Sequence, residues 1–451
     1  MIIKLPSQAS LRGDRAVQRG SVLVLVLCIA LGLVAITLYF ANSMSLELRT
    51  ADNRVAAMAA DQAIEGASRY VCYLLSMLQT NGMIPDPTTY PTNAIPVGDA
   101  RFWFIGRADP QLGPQTEPVF GLIDEASKLN INTASEPMLE LLPGMTPDLA
   151  ACIVDWRDAD SDISPNGAEV ETYARLDPPY LCKNANFESV DELRMVYGMN
   201  MGFLLGEDLN RNGVLDVDEV DTNHNGLLDP GLLEYVTVFS REPNTRSDGT
   251  ARINVNSQDR QPLTDLLQSR FSSQRANQII AGMGTGRRAV TFSSPMQFGL
   301  LTFMTPDEFA LIARDITTTN GSYVEGRVNI NTARAEVLAC IPGIGVDRAP
   351  DVVNYRLNNS AKLTSVLWLA DALGSPGAAM QAGPYVTTQA YQFSADVAAV
   401  GPHGRGYRRV RFVIDISDGT PRIVYRQDLS QLGWALGKQV RQRLLLAKAS
   451  R

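Results

Sequence analysis

The distribution of apolar residues singles out one long run near the start of the chain. Residues 21–40 read SVLVLVLCIALGLVAITLYF and contain neither a charge nor a proline. As a helix that rises about 1.5 Å per residue, this run spans roughly 30 Å, the thickness of the hydrocarbon core of a bilayer. A cleavable secretory signal has a shorter apolar region, of about 7–15 residues, followed by small residues, whereas Gly20 precedes this run. The pattern therefore predicts a retained membrane helix.

The residues before this run predict its orientation. Lys4, Arg12, Arg15 and Arg19 outnumber Asp14, and a basic flank favours a cytoplasmic N-terminus with an exported body. Taken alone, the apolar run also fits an ordinary uncleaved signal anchor.

The helix is expected to continue beyond the membrane. No proline occurs between residues 41 and 78, and apolar residues recur there mostly at steps of three and four, as on one helix face. These residues are Leu46, Val55, Met58, Ile64, Val71, Leu74, Leu75 and Leu78. We expect one helix of about 55–60 residues, with its last third packed on a soluble domain and its end at Asn81-Gly82.

Short runs with partial alternation predict strands at both ends of the body. The runs are 101–107, 119–124, 391–400, 408–415 and 421–426. Because the late runs can complete a sheet begun near residue 101, we predict an α+β fold. A long N-terminal helix packs on a small antiparallel sheet, and a large helical domain is inserted into that sheet.

The predicted insertion contains an internal repeat. Residues 129–157 and 328–356 share N-I-N-T-A, an aliphatic pair, P-G and a terminal Arg, and residues 252–257 begin a partial third copy. The turn 342–345 reads PGIG, and its glycines permit a tight connection between two helices. The pattern is typical of a helix-hairpin-helix.

A twelve-residue calcium loop is predicted between the repeats. Calcium takes six to eight oxygen ligands, which such a loop offers at positions 1, 3, 5, 7, 9 and 12 around a glycine turn. The residues at these positions are Asp208, Asn210, Asn212, Val214 through its carbonyl, Asp216 and Glu219. The alternative is a solvated acidic loop.

A second loop follows thirteen residues later. Its residues at positions 1, 3, 5, 7 and 9 are Asp221, Asn223, Asn225, Leu227 and Asp229. Position 12 is Leu232, so we expect this loop to borrow Glu219, Asp218 or Glu234. His224 at position 4 should point outward. Because the loops are too close for full EF-hand helices, they resemble a tandem, dockerin-type insertion.

An acidic run in the first repeat is a weaker calcium candidate. It comprises Asp155, Asp158, Asp160 and Asp162, with Glu169 further on. A solvated loop that closes a helix is the alternative.

Charge and composition narrow the function. Lys and Arg number 40 against 48 Asp and Glu, a net charge of −8, and only two His occur. A His-based nucleophile triad or a His-rich metal site is therefore not expected. No nucleophile–base pair, Walker loop or dinucleotide fingerprint is recognisable. These observations argue against an enzyme.

Two other functions remain open from the residues. The hairpin turns could present backbone N–H groups to DNA phosphates, as in envelope DNA-uptake proteins, but the turn 342–345 is flanked by Asp347, Arg348 and Asp351 without a lysine cluster. No nucleic acid partner is therefore expected. A membrane-anchored, calcium-dependent adhesin is the other alternative.

Four cysteines fall in the predicted exported body. Cys72, Cys152, Cys182 and Cys340 allow three full pairings. We expect a Cys152–Cys182 bond if the first repeat folds back on itself, and buried free thiols are the alternative.

The leader, the retained helix and the globular body together resemble a type IV pilin-like precursor. In that family a prepilin peptidase cuts after the leader's final glycine, which here implies cleavage between Gly20 and Ser21. Most members carry Glu at the fifth mature position, where this chain has Leu25. This difference and the stretches 121–135 and 155–199 resemble the general secretion pathway protein K family, the K-type minor pseudopilins of type II secretion.

The resemblance implies a function and a setting. It implies a non-enzymatic subunit at the tip of the pseudopilus, acting in protein export across the outer membrane with I- and J-type minor pseudopilins. It also implies a methylated, single-pass inner-membrane protein with a periplasmic body. The body is longer than expected for the family, mainly through residues 258–327.

The sequence divides into eight predicted segments. They are the leader 1–20, the long helix 21–80, the first part of the head 81–128, repeat one 129–205, the calcium loops 206–232, further helical repeats 233–385, the C-terminal strands 386–430 and a basic tail 431–451.

Overall fold

The computed structural model describes residues 18–78, 82, 85–107, 117–284 and 290–449. Residues 1–17 of the predicted leader and Asn81 of the predicted helix stop lie outside the described residues, whereas Gly20 and Ser21 lie in the first helix.

The described helices alternate with the strands along the chain. The helices are α1 (Gln18–Ser76), α2 (Glu136–Leu139), α3 (Pro147–Arg157), α4 (Val170–Tyr173), α5 (Met201–Leu205), α6 (Gln261–Arg270), α7 (Ser273–Gly282), α8 (Pro295–Leu301), α9 (Pro306–Ala310), α10 (Ala335–Ala339), α11 (Gly345–Asn358), α12 (Trp368–Leu373), α13 (Pro376–Ala382) and α14 (Gly437–Ala449).

The strands are short except for the last three. They are β1 (Ile95–Val97), β2 (Ala100–Ile105), β3 (Ile123–Asp124), β4 (Leu129–Asn130), β5 (Val236–Thr237), β6 (Arg241–Pro243), β7 (Ile253–Asn254), β8 (Ile316–Thr317), β9 (Tyr323–Glu325), β10 (Val328–Asn329), β11 (Val386–Thr387), β12 (Gln392–Val400), β13 (Arg408–Asp415) and β14 (Arg422–Asp428).

Helix α1 is a single helix of 59 residues, as the proline-free pattern predicts. By length and composition it can cross a membrane. It ends at Ser76, before the predicted stop.

The face of α1 that packs on the sheet differs from the prediction. The α1 residues in the core shared with the sheet are Ala60, Ala63, Ile64, Ala67, Val71 and Leu75, and Ala56 is buried before them. Leu46, Val55 and Met58, which the periodicity assigned to the same face, are exposed. Small alanines let the helix backbone approach the sheet closely.

The main sheet is antiparallel, in the order β1-β2-β12-β13-β14 with β3 beside β12. Its central strand β12 pairs with β2 (Val397 with Phe104) and with β13 (Val397 with Val410). Phe393, Ala395, Val397 and Phe412 belong to the core under α1. The long N-terminal helix on an antiparallel sheet, with helices between β3 and β12, confirms the predicted α+β fold class.

The insertion consists of three copies of one unit, where the sequence revealed two and a fragment. Each copy opens with a two-residue strand ending in Asn and closes with a parallel two-residue strand ending in Thr. The pairs are β4 with β5 in repeat one, β7 with β8 in repeat two, and β10 with β11 in repeat three. Helices α6–α9 of the stretch 258–327 therefore belong to a complete second repeat.

A second asparagine fixes each repeat from within. Asn132 and Asn256 each exchange two hydrogen bonds with the backbone of a later loop, at Phe187 and at Phe292. Asn331 donates to the Leu363 carbonyl at 3.2 Å. These half-buried amides, with both functions paired, favour one loop conformation, because another would break their hydrogen bonds.

Asp124, the last residue of β3, joins the sheet to repeat three. Its carboxylate is buried and accepts hydrogen bonds from Asn329 Nδ2 at 2.9 Å, Thr332 Oγ1 at 2.7 Å and the Ala126 amide at 2.8 Å. Burial nevertheless raises the pKa of Asp124 to about 7.

Glu125 joins the sheet to repeat one. It accepts hydrogen bonds from Thr237 at the end of β5 and from Ser394 in β12. Lys128 Nζ lies 3.1 Å from its carboxylate. Although burial opposes ionisation, Lys128 and the hydroxyl donors keep the pKa of Glu125 below its ordinary value. The two carboxylates therefore tie the two outer repeats to the sheet.

Replacing Asp124 by Asn should change how stability depends on pH. Because the folded pKa is raised, the folded state binds this proton more tightly than the unfolded state between about pH 4 and pH 7. The stabilisation from Asp124 is thus fully present below about pH 4 and is lost as pH rises through 7. Melting temperatures of the wild type should therefore fall relative to Asp124→Asn between pH 5 and pH 8. Parallel curves would contradict this, and Asp86→Asn, at an exposed carboxylate, is the control.

Candidate functional site

The two predicted calcium loops form one excursion between α5 and a 3-10 turn at Leu232–Glu234. An isolated bridge between Gly206 and Pro230 closes its neck. A Cβ at Gly206 would lie 2.4 Å from the Asp229 carbonyl oxygen, and one at Gly231 would lie 2.4 Å from the Gly206 nitrogen. The backbones approach so closely that glycine is required on both sides of the neck.

Loop one begins with a carboxylate that organises its turn. Asp208 accepts hydrogen bonds from the amides of Asn212 and Gly213, both at 2.9 Å. Gly213 has a φ of +82°, which favours glycine at this position. The turn directs the following side chains toward Asp208.

The remaining side chains of loop one converge on the same space. The Asp216 carboxylate accepts hydrogen bonds from Asn210 Nδ2 at 2.7 Å and from Asn212 Nδ2 at 2.8 Å. Glu219 accepts from the amide of Asn210 at 3.1 Å and from that of Asp216 at 3.0 Å. The structure thus brings all five predicted side-chain ligands of loop one together, with Val214 buried beside them.

Buried arginines hold the backbone of loop one against the sheet. Arg409 of β13 donates to the carbonyls of Asn210 and Arg211, and Arg107 donates to the Arg211 carbonyl at 3.0 Å. Arg409 also pairs with Asp396 of β12 at 2.7 Å, and both side chains are 0% exposed. Sequence analysis missed these residues, because a buried Arg–Asp pair in a strand looks like an ordinary surface pair.

The donor set of loop one suits a hard divalent cation. Burial raises the pKa of Asp208 and of Glu219 above the ordinary carboxyl values, although the charge of Arg107 opposes the rise at Asp208. Asn210 Oδ1 is buried and has no hydrogen-bond partner among the described residues. An orphaned amide oxygen beside three carboxylates fits the all-oxygen coordination of calcium.

Loop two repeats the hydrogen-bond pattern of loop one in an exposed setting. Asp221 accepts from the amides of Asn225 at 3.2 Å and Gly226 at 2.8 Å. Asp229 accepts from Asn223 Nδ2 at 2.5 Å and from Asn225 Nδ2 at 3.2 Å. The side chains of these residues face solvent more than their counterparts in loop one.

Glu207 occupies the place of the glutamate that loop two lacks. Its carboxylate accepts hydrogen bonds from the amide and hydroxyl of Thr222, both at 2.5 Å, and from the Asp229 amide at 3.1 Å. These contacts parallel those of Glu219 in loop one. The sequence does show Glu207 immediately before Asp208, the first position of loop one, but the twelve-residue pattern of a calcium loop does not include that position.

The residues expected to complete loop two do not do so. Glu219 serves loop one. Glu234 lies 2.8 Å from Arg107 and 3.2 Å from Arg334 in ion pairs. Asp218 is exposed, as is His224. The expectation that one of these residues completes loop two was wrong, because the neck brings Glu207 at the start of loop one, rather than Glu219 at its end, beside loop two.

The weaker acidic candidate forms a partial cluster. Asp158, Asp160 and Glu169 can offer ligand atoms within 4.8 Å of one another. Asp155 and Glu169 are buried, and each has one carboxylate oxygen without a hydrogen-bond partner among the described residues. Asp162 instead donates its amide to Asp160 at 2.9 Å.

The predicted Cys152–Cys182 disulfide is wrong, because both residues are free thiols. The Cys152 sulfur lies 3.8 Å from the Asn166 carbonyl, and the Cys182 sulfur lies 3.8 Å from the Asp155 carbonyl. Burial raises the pKa of each thiol to about 11. The first repeat does fold back on itself, but the Cys152 thiol contacts the backbone at Asn166 and the Cys182 thiol contacts the backbone at Asp155.

The hairpin turn of repeat three is packed rather than presented. A Cβ on Gly343 would lie 2.2 Å from the Ala378 carbonyl of α13, so α13 covers this side of the turn. Arg348 donates to the Gly343 carbonyl at 3.1 Å. Arg348, the basic residue nearest to the turn in sequence, therefore bonds to the turn itself, and this contact disfavours the DNA-binding alternative.

The fold and the loops define a class: an αβ protein with one long apolar N-terminal helix and a repeat-built insertion that carries tandem acidic loops. Within that class the comparison with families is specific. Residues 130–204 match the family described as Type II secretion system (T2SS), protein K. They form the part of repeat one that precedes the acidic loops. The resemblance that the sequence indicated is confirmed for this segment.

Curated relatives match over similar lengths. The Type II secretion system protein K of Pectobacterium carotovorum subsp. carotovorum is 44% identical over 52 residues, 12% of this chain and 16% of the relative. That of Klebsiella pneumoniae is 38% identical over 74 residues, 16% of this chain and 21% of the relative. This chain therefore spans about a sixth to a fifth of the length of the curated relatives it matches.

One solved structure aligns along most of the chain. It is the GspK-GspI-GspJ complex from the enterotoxigenic Escherichia coli Type 2 Secretion System, with a TM-score of 0.40 and 10% identity, covering 85% of this chain and 98% of that chain.

Substitutions in the hairpin should separate packing from backbone strain. Gly343→Ala forces a Cβ into the Ala378 carbonyl at a φ of +86° and should cost about 2–4 kcal/mol. Gly345→Ala meets no atom within 4 Å at a φ of +71° and should cost only about 1 kcal/mol. Thermal melting checks the order. Equal losses would mean that α13 does not cover the turn.

Proposed function

We propose that this protein is a non-enzymatic structural component of the type II secretion pseudopilus, a minor pseudopilin at the filament tip that acts in protein export across the outer membrane. The observation that carries the proposal is the protein K match of residues 130–204 in a chain whose first helix can cross a membrane. The proposed location is the inner membrane, with the body in the periplasm.

The exposed flank of α1 supports assembly with other subunits. Met44, Leu46, Leu48, Val55 and Met58 lie beyond the apolar run, and all five are exposed. Apolar side chains in that position are stabilised when neighbouring helices bury them. I- and J-type minor pseudopilins are the proposed neighbours.

Leu25 supports the position at the tip. It is 60% exposed on α1 inside the apolar run. A carboxylate at the centre of a membrane helix costs about 2.5–3.5 kcal/mol on insertion scales unless it is paired. A subunit with nothing added above it has no such pairing partner, so leucine suits this place.

Processing by a prepilin peptidase tests the pilin-like part of the proposal. Gly20→Ala, or a bulkier residue, should leave the precursor uncut and unassembled, because the leader's basic residues and Gly20 form the recognition sequence. Gly32→Ala is the matched control, since no atom lies within 4 Å of its Cβ position. Intact mass of the membrane-extracted protein reports cleavage before Ser21. Native mature protein that begins at Met1 would contradict the proposal.

We also propose that the loops bind calcium. Asp208, Asn210, Asn212, Asp216 and Glu219, with the Val214 carbonyl, would hold one ion. Asp221, Asn223, Asn225, Asp229 and the Leu227 carbonyl, with Glu207, would hold a second. The orphaned Asn210 oxygen and the converging carboxylates support this assignment. Bound calcium would offset their mutual repulsion, and no catalytic step is assigned to it.

Calcium removal should destabilise the full-length protein in detergent. Exported compartments hold calcium well above cytosolic levels, so a site with a dissociation constant of roughly 10⁻⁴–10⁻³ M would fill. At a hundredfold excess of calcium the stabilisation is about 2.7 kcal/mol. Chelation should lower the melting temperature and expose residues 206–232 to protease. Asp208→Ala with Glu219→Ala should mimic chelation even with calcium present.

The second loop and His224 provide matched controls. Asp221→Ala with Asp229→Ala should lower the melting temperature less, because arginines anchor loop one, but not loop two, to the sheet. His224→Ala should change nothing. A melting curve indifferent to the chelator and to the loop-one double substitution would remove the calcium proposal and leave the pseudopilin proposal standing.

A further inference from the structure

Helix α14 is basic in an acidic protein. Its sequence, GKQVRQRLLLAKA, contains lysines and arginines but no acidic residue, whereas the whole chain has a net charge of −8. Lys438, Arg441 and Arg443 are exposed, and none of them forms an ion pair with a residue in the described part of the chain. Arg443 donates to the neutral Gln439 Oε1 of the same helix at 3.3 Å. Their charges are therefore available to an anion outside the head.

The apolar side of α14 packs on the face of the sheet opposite α1. Val440 and Leu444 contact a cluster that contains Trp103 and Ala398. Trp103 alternates along β2 with Phe104, which belongs to the core under α1, and successive strand residues point to opposite faces. The sheet thus covers one side of α14 and leaves its basic residues facing outward.

The direction of α14 follows from the contacts at its two ends. A Cβ at Gly437 would lie 2.7 Å from Pro118, in a segment bridged to Ile105, which pairs within the body of β12. Leu444 lies 3.4 Å from the Cβ position of Gly404, in the turn after β12. Helix α14 therefore runs in the same direction as β12 and passes the end of that strand.

Helix α1 runs in the opposite direction to β12. A Cβ at Gly401, directly after β12, would lie 2.2 Å from the Ala56 carbonyl oxygen of α1. The ring of Tyr391, directly before β12, lies 3.0 Å from the Cβ position of Gly82, beyond the end of α1. The C-terminal end of α14 therefore points back toward the apolar run 21–40.

The end of α14 lies near the lipid headgroups when α1 crosses a bilayer. Arg405, which follows the turn that Leu444 contacts, pairs with Asp52 of α1 at 3.3 Å. Asp52 is 12 residues beyond Phe40, the last residue of the apolar run, or about 18 Å of helix. From Leu444 the helix continues to Ala449, about 7.5 Å nearer the bilayer. Because headgroups extend about 5–7 Å from the hydrocarbon core, the remaining gap is about 5 Å, less than the Debye length of about 8 Å at physiological ionic strength.

The charges of α1 at the same level do not cancel those of α14. Glu47 and Asp52 stand there against Arg49 and Arg54. Asp52 is also paired with Arg405 at 3.3 Å. This part of α1 is therefore close to neutral, and α14 sets the sign of the charge at this end of the head.

Two carboxylates lie beside α14 without reversing that sign. Asp99 and Glu117 line a pocket along the helix, and Arg101 lines the same pocket. Glu117 lies against Gly437, the first residue of α14, at the end farther from the apolar run, where a negative charge stabilises a helix. Together with Arg101 and the three exposed basic residues of α14, these carboxylates leave a positive balance.

We propose that the C-terminal end of α14 binds the anionic phospholipid headgroups of the membrane that α1 crosses. Leu446, which is 70% exposed, lies among the basic residues on the part of the helix nearest the bilayer, a mixture typical of helices at a membrane surface. The head would then be held at two points, α1 and α14, which restricts its rotation about α1. The inference rests on the membrane part of the proposed function and needs no pseudopilus.

Hydrogen exchange in bilayers of defined charge tests the proposal. The full-length protein is reconstituted into nanodiscs of phosphatidylcholine, or of phosphatidylcholine and phosphatidylglycerol in equal parts. Backbone amides of α14 should exchange about tenfold more slowly in the anionic nanodiscs, because bound headgroups oppose local opening of the helix. High salt should remove the difference. Amides of α3 in repeat one are the internal reference and should exchange equally in both lipids.

Charge variants locate the contact. Arg441→Gln with Arg443→Gln should lose most of the slowing at an unchanged melting temperature, because both side chains are exposed. Arg175→Gln with Arg422→Gln removes the same charge from exposed arginines elsewhere and should keep the slowing in full. Equal exchange of wild-type α14 in the two lipids would overturn the proposal, as would full slowing in the α14 variant.

Soluble anions added to the phosphatidylcholine nanodiscs distinguish a lipid surface from other ligands. Glycerol phosphate supplies the headgroup without a bilayer, and polyglutamate stands for an acidic protein segment. Neither should slow exchange of α14 as phosphatidylglycerol does, and equal slowing by either one would replace the lipid with that ligand.

Recovery of the protein in the nanodisc fraction tests the membrane part of the proposed function separately. A chain that stays outside the nanodiscs would overturn both that part and this inference. Inserted protein whose α14 exchanges equally in the two lipids would overturn this inference alone.

Discussion

Two adjacent buried carboxylates, Asp124 and Glu125, control how the insertion is joined to the sheet. Each carboxylate draws its hydrogen-bond donors from a different repeat, Asp124 from repeat three and Glu125 from repeat one. A buried carboxylate that loses its donors pays a large desolvation penalty, so neither repeat can swing away alone. The two carboxylates therefore join both outer repeats to the head.

A second junction depends on the ion pair between Arg409 and Asp396. The remaining guanidinium donors of Arg409 hold the backbone of loop one. Burying a charge pair this completely is favourable only when its other donors are satisfied, and here the carbonyls of the acidic loop satisfy them. Occupancy of loop one would thereby affect the sheet, whereas loop two projects into solvent. The two loops share the residues at positions 1, 3, 5, 6 and 9, yet their contacts differ because their surroundings differ.

The limits of sequence analysis follow the range of the interactions. The helix of 59 residues, the longer strands of the main sheet and the convergence of loop one could be predicted because proline absence, alternation and loop spacing are local signals. The face of α1, the partner of loop two and the state of the cysteines could not. The buried face of α1 depends on how its alanines pack on a sheet that is distant in sequence. The neck at Gly206 brings Glu207 rather than Glu219 to loop two. The placement of Cys152 and Cys182 depends on the loop between them. The second repeat was recognised only as a fragment, because its helices lack the P-G turn while its Asn and Thr ladder is retained.

The differences among the three repeats indicate which parts of the insertion can vary in sequence. The parts common to all three copies are asparagines that bond to the backbone of a later loop and short parallel ladders, which set the backbone. The parts that differ lie at the ends of helices and in connecting turns: acidic loops after α5 in repeat one, a covered hairpin in repeat three, and arginines at the ends of α6 and α9 in repeat two. Loops on a rigid scaffold are where binding residues accumulate, since changes there leave the core intact. Adding a repeat therefore adds a new set of turns without altering the sheet or α1, so a chain built this way can acquire new charged groups in its turns while it keeps the packing of α1 on the sheet.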